Sequence, residues 1–108
     1  MLAFVQAGAH RYALYLDGAY AGNITVYPDG DAFSVGLLIV PLLRGYGLGP
    51  QALHLTAQRY FAAGFSLCRD LIAPDNTASI RMHEKAGFVP AGEVQAQGRR
   101  ALVYELRA

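Results

Sequence analysis

The alternation of apolar and polar residues predicts strands in the first half of the chain. Residues 11–16 are rich in tyrosine and leucine, and Ile24 and Val26 alternate with polar neighbours in residues 21–27. Asp17-Gly18 lies between the two runs, and this pair is a strong signal for a tight hairpin turn. A third run, residues 33–40, is apolar almost throughout. That pattern predicts a strand buried on both faces.

The second half of the chain changes to helical spacing. Apolar residues recur every three or four positions between Pro50, which suits a first helical turn, and Gly64. Asn76 or Thr77 can cap a second helix that ends near Ala86, before a glycine. Short apolar runs at residues 67–73, 88–89 and 102–106 predict further strands. The order β-β-β-α-β-α-β-β gives an α+β (mixed α/β) fold, a single domain over residues 1–108 with helices packed on a sheet.

Composition narrows the class of protein. The chain has 108 residues, a net charge of +1 at pH 7 and 54% hydrophobic residues, so it has enough apolar surface for one core. No basic stripe points to nucleic acid, and no apolar run reaches the roughly 20 residues that span a bilayer. A single cysteine, Cys68, excludes an intrachain disulfide, and the three scattered histidines suggest no metal site. We expect a cytoplasmic protein that binds neither nucleic acid nor membrane.

The clearest chemical signal is a glycine-rich loop before the first helix. Gly45, Gly47 and Gly49 stand at alternate positions, where missing side chains let a ligand approach the backbone. Successive N–H groups at the start of a helix form a site for phosphate or pyrophosphate. The alternative is a turn that merely connects a strand to a helix. The sequence lacks the Gly-Lys-Ser/Thr of a Walker loop and the G-x-G-x-x-G spacing of a dinucleotide fingerprint.

Two segments together resemble a known family. Ile39-x-Pro41-x-x-Arg44-Gly45-x-Gly47-x-Gly49 is similar to the coenzyme A motif of the GNAT family of N-acetyltransferases. Residues 76–88, NTASIRMHEKAGF, resemble the family's later N-x-x-S-x-x-x-Y-E-K-x-G-F segment. The resemblance covers roughly residues 11–107. It implies a central, mostly antiparallel sheet flanked by two helices, and acetyl-CoA as the co-substrate with no metal.

The resemblance also implies roles for matching residues. The pantetheine arm would pair with the backbone near Leu38, Ile39 and Val40, and the loop's N–H groups would hold the pyrophosphate. Asn76 would bind the arm or only cap its helix, and Lys85 would reach the ribose phosphate or be a plain surface lysine. The residues expected to bind the cofactor are Leu38, Ile39, Val40, Arg44, Gly45, Tyr46, Gly47, Leu48, Gly49, Asn76, Ser79 and Lys85.

The implied reaction is attack of a primary amine, of a small molecule or a peptide, on the acetyl thioester. His83 stands where the family has tyrosine, and histidine can supply a proton to the departing thiolate near neutral pH. The alternative is that His83 only fills space. The strand before the loop carries no carboxylate, so the sequence assigns no general base. A backbone N–H of that strand is expected to polarise the thioester carbonyl.

The chain departs from the family at its start. Family members usually carry two helices before the second strand, and about ten residues precede the first hairpin strand here. The acceptor side would then be open or covered by a second subunit, which suggests a homodimer. Two other functions stay open: a binding module that holds acyl-CoA without catalysis, and one part of a larger assembly.

Overall fold

The computed structural model describes residues 1–108. It contains seven strands, two α-helices and one 3₁₀ turn at Pro41–Leu43. The strands are β1 (Leu2–Gly8), β2 (Arg11–Leu16), β3 (Ala19–Asp29), β4 (Ala32–Ile39), β5 (Leu67–Ile72), β6 (Val89–Ala96) and β7 (Arg99–Arg107), and the helices are α1 (Leu48–Ala62) and α2 (Thr77–Lys85).

All seven strands form one sheet in the order β1-β2-β3-β4-β5-β7-β6. Every neighbouring pair is antiparallel except β4 and β5, which are parallel. That parallel pairing covers only Ala32 opposite Leu67 and Phe33 opposite Cys68. Beyond these two pairs the strands separate. The sheet therefore consists of two antiparallel halves, β1–β4 and β5–β7, which meet along a short seam.

The turn and cap signals of the sequence act where they were expected. Asp17 and Gly18 both have positive φ, the conformation of a type I′ hairpin turn, and they join β2 to β3. Asn76 is the N-cap of α2, and its side-chain oxygen accepts the N–H of Ser79 at 3.2 Å. The α+β fold with a mostly antiparallel sheet and two helices is confirmed.

Both helices pack against the same face of the sheet. The core beneath α1 is aromatic: the ring of Phe33 lies 5.1 Å from that of Tyr60 and 5.6 Å from that of Phe65. Leu14 and Ile24, from β2 and β3, are fully buried on this face. α2 meets the same face further along β5, through the contact of His83 with Asp70. The two helices thus cover the seam from one side only.

Two expectations from the sequence are wrong. The predicted order lacks β1, an edge strand that pairs with β2 alone. The run 33–40 was expected to be buried on both faces, but Leu38 is 49% exposed, because neither helix covers the face of β4 away from α1. The apolar residues of that face, which include Tyr27, are open to solvent.

Neither helix is long and apolar enough to cross a membrane.

Candidate active site

A cleft of about 720 Å³ opens where β4 and β5 separate. The C-terminal end of β4 forms one wall, and the first turns of α1 and α2 form the others. Because β5 leaves β4 after Phe33, β5 supplies no pairing partner to the last residues of β4. The cleft is the direct consequence of the short parallel seam.

The loop between β4 and α1 carries unused donors at this cleft. The N–H groups of Gly45, Tyr46 and Gly47 donate to no carbonyl of the chain. Leu48 and Gly49 follow in the first turn of α1, where N–H groups have no partner within the helix. Five successive donors thus lie at the positive end of a 15-residue helix. Such an arrangement favours a phosphate or pyrophosphate.

The three glycines of the loop serve two different purposes. Gly45 and Gly47 have φ of +85° and +77°, which other residues adopt at a cost, and a Cβ at either would meet only open space. A Cβ on Gly49 would come within 2.9 Å of the sulfur of Met82. Gly49 therefore lets α1 and α2 approach each other, while the other two shape the loop.

Positive side chains surround the cleft. Arg44, Arg81 and Lys85 line it, and no acidic residue does. None of the three forms an ion pair within the chain. Although the whole chain has a net charge of only +1, this cleft concentrates three free cations. Its charge matches a ligand with several phosphates.

Most residues expected to bind the cofactor lie together in this cleft. The lining includes Leu38, Ile39, Arg44, Gly45, Gly47, Leu48, Gly49, Asn76, Ser79 and Lys85.

Val40 and Tyr46 do not line the cleft. The N–H of Val40 donates to Ala21 of β3 at 2.9 Å, so this group already belongs to the sheet. Tyr46 is 75% exposed. The Nε of Arg44 donates to the carbonyl of Ile39 at 2.9 Å, so this arginine also folds the loop back onto β4.

Asn76→Ala is expected to lower the free energy of unfolding by about 1 kcal/mol, because the N–H of Ser79 loses its capping acceptor. Asn76→Ser keeps a capping oxygen and is the matched control. Chemical denaturation of the two variants measures the difference. Equal stability of both variants and the unsubstituted protein would show that the cap contributes nothing.

His83 lies beside the gap between β4 and β5, held at both ring nitrogens. Nε2 is 2.6 Å from Oδ2 of Asp70, and Nδ1 is 2.8 Å from the carbonyl oxygen of Ser79. Oδ1 of Asp70 accepts the N–H of Val35 at 2.9 Å. The imidazole also packs edge-on against Phe88, at 4.9 Å between ring centres. His83 and Asp70 are each only 5% exposed.

A second groove of about 670 Å³ lies at the same gap. Tyr27, Ser34 and Arg69 line it from the face of the sheet that the helices leave open. Asp70 and His83 also line it, and they do not line the first cleft. Ser79 lines both. Ser79 thus connects the two cavities, and the Asp70–His83 pair lies beside it in the groove.

Sequence reasoning missed two of these residues. Arg81 stands four positions before Lys85 on α2, and this spacing puts both cations on one helix face. The sequence assigned no role to Asp70. A carboxylate within a predicted buried strand could have indicated this residue, because a buried charge normally has a partner.

Cys68 offers no nucleophile to the site. It is fully buried on the core face of β5. Burial raises the pKa of the Cys68 thiol far above its usual range, and the charge of Asp70 raises it further. The thiol therefore stays protonated, and the side chain packs in the hydrophobic core.

Solved structures with this fold include enzymes crystallised with coenzyme A. The aminoglycoside acetyltransferase AAC(6')-Ib in complex with coenzyme A has a TM-score of 0.81 and 22% identity, over 90% of this chain and 65% of that one. RimJ of Mycobacterium smegmatis, in complex with CoA-disulfide, has a TM-score of 0.80 and 21% identity, over 92% and 54%. A GNAT-family acetyltransferase from Bacillus anthracis has a TM-score of 0.81 and 19% identity, over 94% and 68%.

The match covers only part of each of these chains, between 54% and 68% of its length. At this level of sequence identity the match shows the fold alone. No curated protein sequence matches the chain. The model of the acetyltransferase (GNAT) family matches residues 3–88. This match includes the glycine-rich loop, both helices and the Asp70–His83 pair, so the chain belongs to the acetyltransferase (GNAT) family.

Proposed function

We propose that the protein is an N-acetyltransferase that transfers the acetyl group of acetyl-CoA to a primary amine of a small molecule or peptide. The observation that carries the proposal is the cleft at the seam, which is lined by four residues with free N–H groups, Gly45, Gly47, Leu48 and Gly49, and by three free cations. A coenzyme with a pyrophosphate and a ribose phosphate has the complementary charge. The two structural neighbours crystallised with coenzyme A or its disulfide support the same ligand.

The groove on the open face supports an amine acceptor. It meets the cleft at the gap between β4 and β5, so an acceptor and a thioester can approach each other through the sheet. Holding both reactants in one place supplies a large part of the acceleration in such reactions. Asp29 at the groove is exposed and forms no ion pair, and its carboxylate suits a cationic amine. AAC(6')-Ib, a neighbour with this fold, has been crystallised with kanamycin and with ribostamycin.

The chemistry needs one bond to form and one to break. The amine nitrogen attacks the carbonyl carbon, and the carbon–sulfur bond breaks to release the thiol. The proton donor to sulfur is proposed to be His83. A backbone N–H of β4 is proposed to polarise the carbonyl, although that of Val35 already donates to Asp70. The expected homodimer and cytoplasmic location stay predictions.

Calorimetric titration with acetyl-CoA, and separately with ATP, tests the cleft first. We expect micromolar binding of acetyl-CoA and at least about tenfold weaker binding of ATP, which lacks the pantetheine arm that would lie along β4. Absence of acetyl-CoA binding would contradict the proposal and favour a part of a larger assembly.

Release of free thiol from acetyl-CoA, with an aminoglycoside, a polyamine and a peptide as acceptors, then tests the reaction. We expect thiol release that depends on one of these amines. Binding of acetyl-CoA without transfer to any of them would favour the alternative, a non-catalytic acyl-CoA-binding module. Engagement of both His83 nitrogens within the chain is the feature of the structure that favours this alternative.

A further inference from the structure

The Asp70–His83 pair joins three elements at the point where the sheet opens. Asp70 belongs to β5, it accepts the backbone N–H of Val35 in β4, and it binds the imidazole of His83 in α2. No buried polar side-chain atom of the chain lacks a partner. A charged side chain in the interior of a strand normally destabilises a fold, and here it is fully compensated. The pair therefore needs an explanation beyond its own stability.

The hydrogen bonds fix where the protons are. The carbonyl oxygen of Ser79 can only accept, so Nδ1 of His83 carries a proton. Oδ1 of Asp70 accepts the N–H of Val35, and the 2.6 Å contact between Oδ2 and Nε2 of His83 requires one proton between those two atoms. For Asp70 to act as a base, this proton lies on Nε2 in the resting state and Asp70 is a carboxylate.

The pair has access to both cavities. Asp70 and His83 line the groove on the open face of the sheet. The hydroxyl of Ser79 lies 3.4 Å from Nδ1 of His83, and Ser79 lines the coenzyme cleft as well as the groove. A chain of carboxylate, imidazole and hydroxyl thus runs through the gap, from the side of the acceptor to the side of the thioester.

We infer that Asp70 is the proton acceptor for the amine, and that His83 supplies the proton for the departing sulfur through the hydroxyl of Ser79. The inference rests on the proposed acetyl transfer and names the base that the sequence did not supply. Most alkylamines reach the groove as ammonium ions, because their pKa is near 10, and an ammonium nitrogen cannot attack. Asp70 is the carboxylate that lies at the gap itself.

The transfer removes two protons from the ammonium nitrogen and adds one to sulfur. The ammonium group gives one proton to the carboxylate of Asp70, and the free nitrogen attacks the carbonyl carbon. The carbon–sulfur bond breaks with its electron pair on sulfur. Sulfur takes the hydroxyl proton of Ser79, which is replaced by the Nδ1 proton of His83, and the second nitrogen proton passes to water in the groove. Asp70 then releases its proton to water, and Nδ1 regains one from water through Ser79, so the three residues return to their resting state and the reaction releases one proton overall.

Few other charges act on the pair. Arg69 lines the same groove, but its Nε is 3.6 Å from the carboxylate of Glu105 in β7. Tyr104, also in β7, has its ring 6.5 Å from that of His83. Asp29 lies at the groove, and Cys68 precedes Asp70 by two positions on β5. No lysine or arginine touches Asp70, so the imidazolium is its only cationic partner.

The basicity of the acceptor amine provides the test. Asp70→Asn keeps the shape of the side chain and its acceptor for Val35, but it removes the base. With an alkylamine acceptor at pH 7, we expect kcat to fall about 100-fold or more, with the KM for acetyl-CoA unchanged within about threefold. With an arylamine, whose nitrogen is already neutral at pH 7, we expect a loss below about fivefold. A merely structural role would lower both rates equally.

Asp29→Asn is the comparison variant, because it removes from the same groove a carboxylate that does not touch His83. Since this carboxylate suits a cationic amine, we expect its loss to raise the KM for alkylamines, whereas Asp70→Asn lowers kcat. Equal losses for alkylamine and neutral amine in Asp70→Asn would overturn the inference and leave the proposed function intact. Absence of transfer by the unsubstituted protein would overturn the proposed function, and the inference with it.

Nitrogen NMR of His83 gives a second test that needs no acceptor. We expect both ring nitrogens to be protonated at pH 7, and Asp70→Asn to abolish this state. A neutral imidazole in the unsubstituted protein would overturn the inference even if Asp70→Asn does not fold.

Discussion

Gly22→Ala is expected to lower the free energy of unfolding by more than about 4 kcal/mol, a large share of the roughly 5–15 kcal/mol typical of a domain. Gly22 lies on β3 opposite Ile39, and an added Cβ would stand 1.9 Å from the carbonyl oxygen of Leu38. The obstacle is backbone, which cannot rotate away as a side chain can. Its φ of +156° is also one that L residues rarely adopt. Chemical denaturation measures the loss.

Gly36→Ala is the matched control for this prediction. It lies on β4, and its added Cβ would meet only ordinary contacts, the nearest at 3.6 Å from the ring of Tyr27. We expect a change below about 1 kcal/mol in either direction. Comparable stability of the Gly22→Ala and Gly36→Ala proteins would contradict the close approach of β3 and β4. Since Leu38 and Ile39 line the coenzyme cleft, any folded Gly22→Ala protein should also bind acetyl-CoA more weakly.

Gly47→Glu is expected to weaken acetyl-CoA binding at least about 100-fold, roughly 2.7 kcal/mol. Gly47 is the N-cap of α1, and a side chain there points into open space beside the free N–H groups of the loop. A carboxylate at this point would compete with the pyrophosphate for those donors and for the positive helix end. Titration calorimetry measures the dissociation constant.

Gly47→Gln separates charge from conformation. Both substitutions carry the same strain, because Gly47 has a φ of +77°, and the two side chains have nearly the same size. We expect the glutamine protein to lose less than about tenfold in affinity. Equal losses in the two proteins would show that the loop does not hold the phosphates, and unchanged affinity in both would place the coenzyme elsewhere.

Local signals explain which parts of the fold could be predicted from the sequence. The Asp17-Gly18 turn, the Asn76 cap and the glycine-rich loop each act within a few residues, so the chain shows them directly. The strand β1 was not predicted because an edge strand needs no regular alternation of apolar and polar residues, and residues 2–5 are all apolar. The exposure of Leu38 was not predicted because composition does not reveal which elements cover a strand.

The sequence also predicted part of the site. The loop and the start of α2 carry their own motifs, and most of the residues they named line one cleft. The Asp70–His83 contact joins residues 13 positions apart on different elements, and only the separation of β4 from β5 brings them together. Val40 and Tyr46 matched the family's motif by position but do not line the cleft, since the N–H of Val40 already pairs with Ala21 and Tyr46 is largely exposed.

The short seam between the two halves of the sheet also has a mechanical meaning. Each half is a continuous antiparallel ladder, whereas only two residue pairs and the side chain of Asp70 join β4 to β5. A change in the angle between the halves therefore breaks few hydrogen bonds, and it widens or narrows the gap where the thioester and the amine would meet. Only the core beneath the helices and these few hydrogen bonds set the angle between the two halves, and the reactants would lie where the hydrogen bonds are fewest.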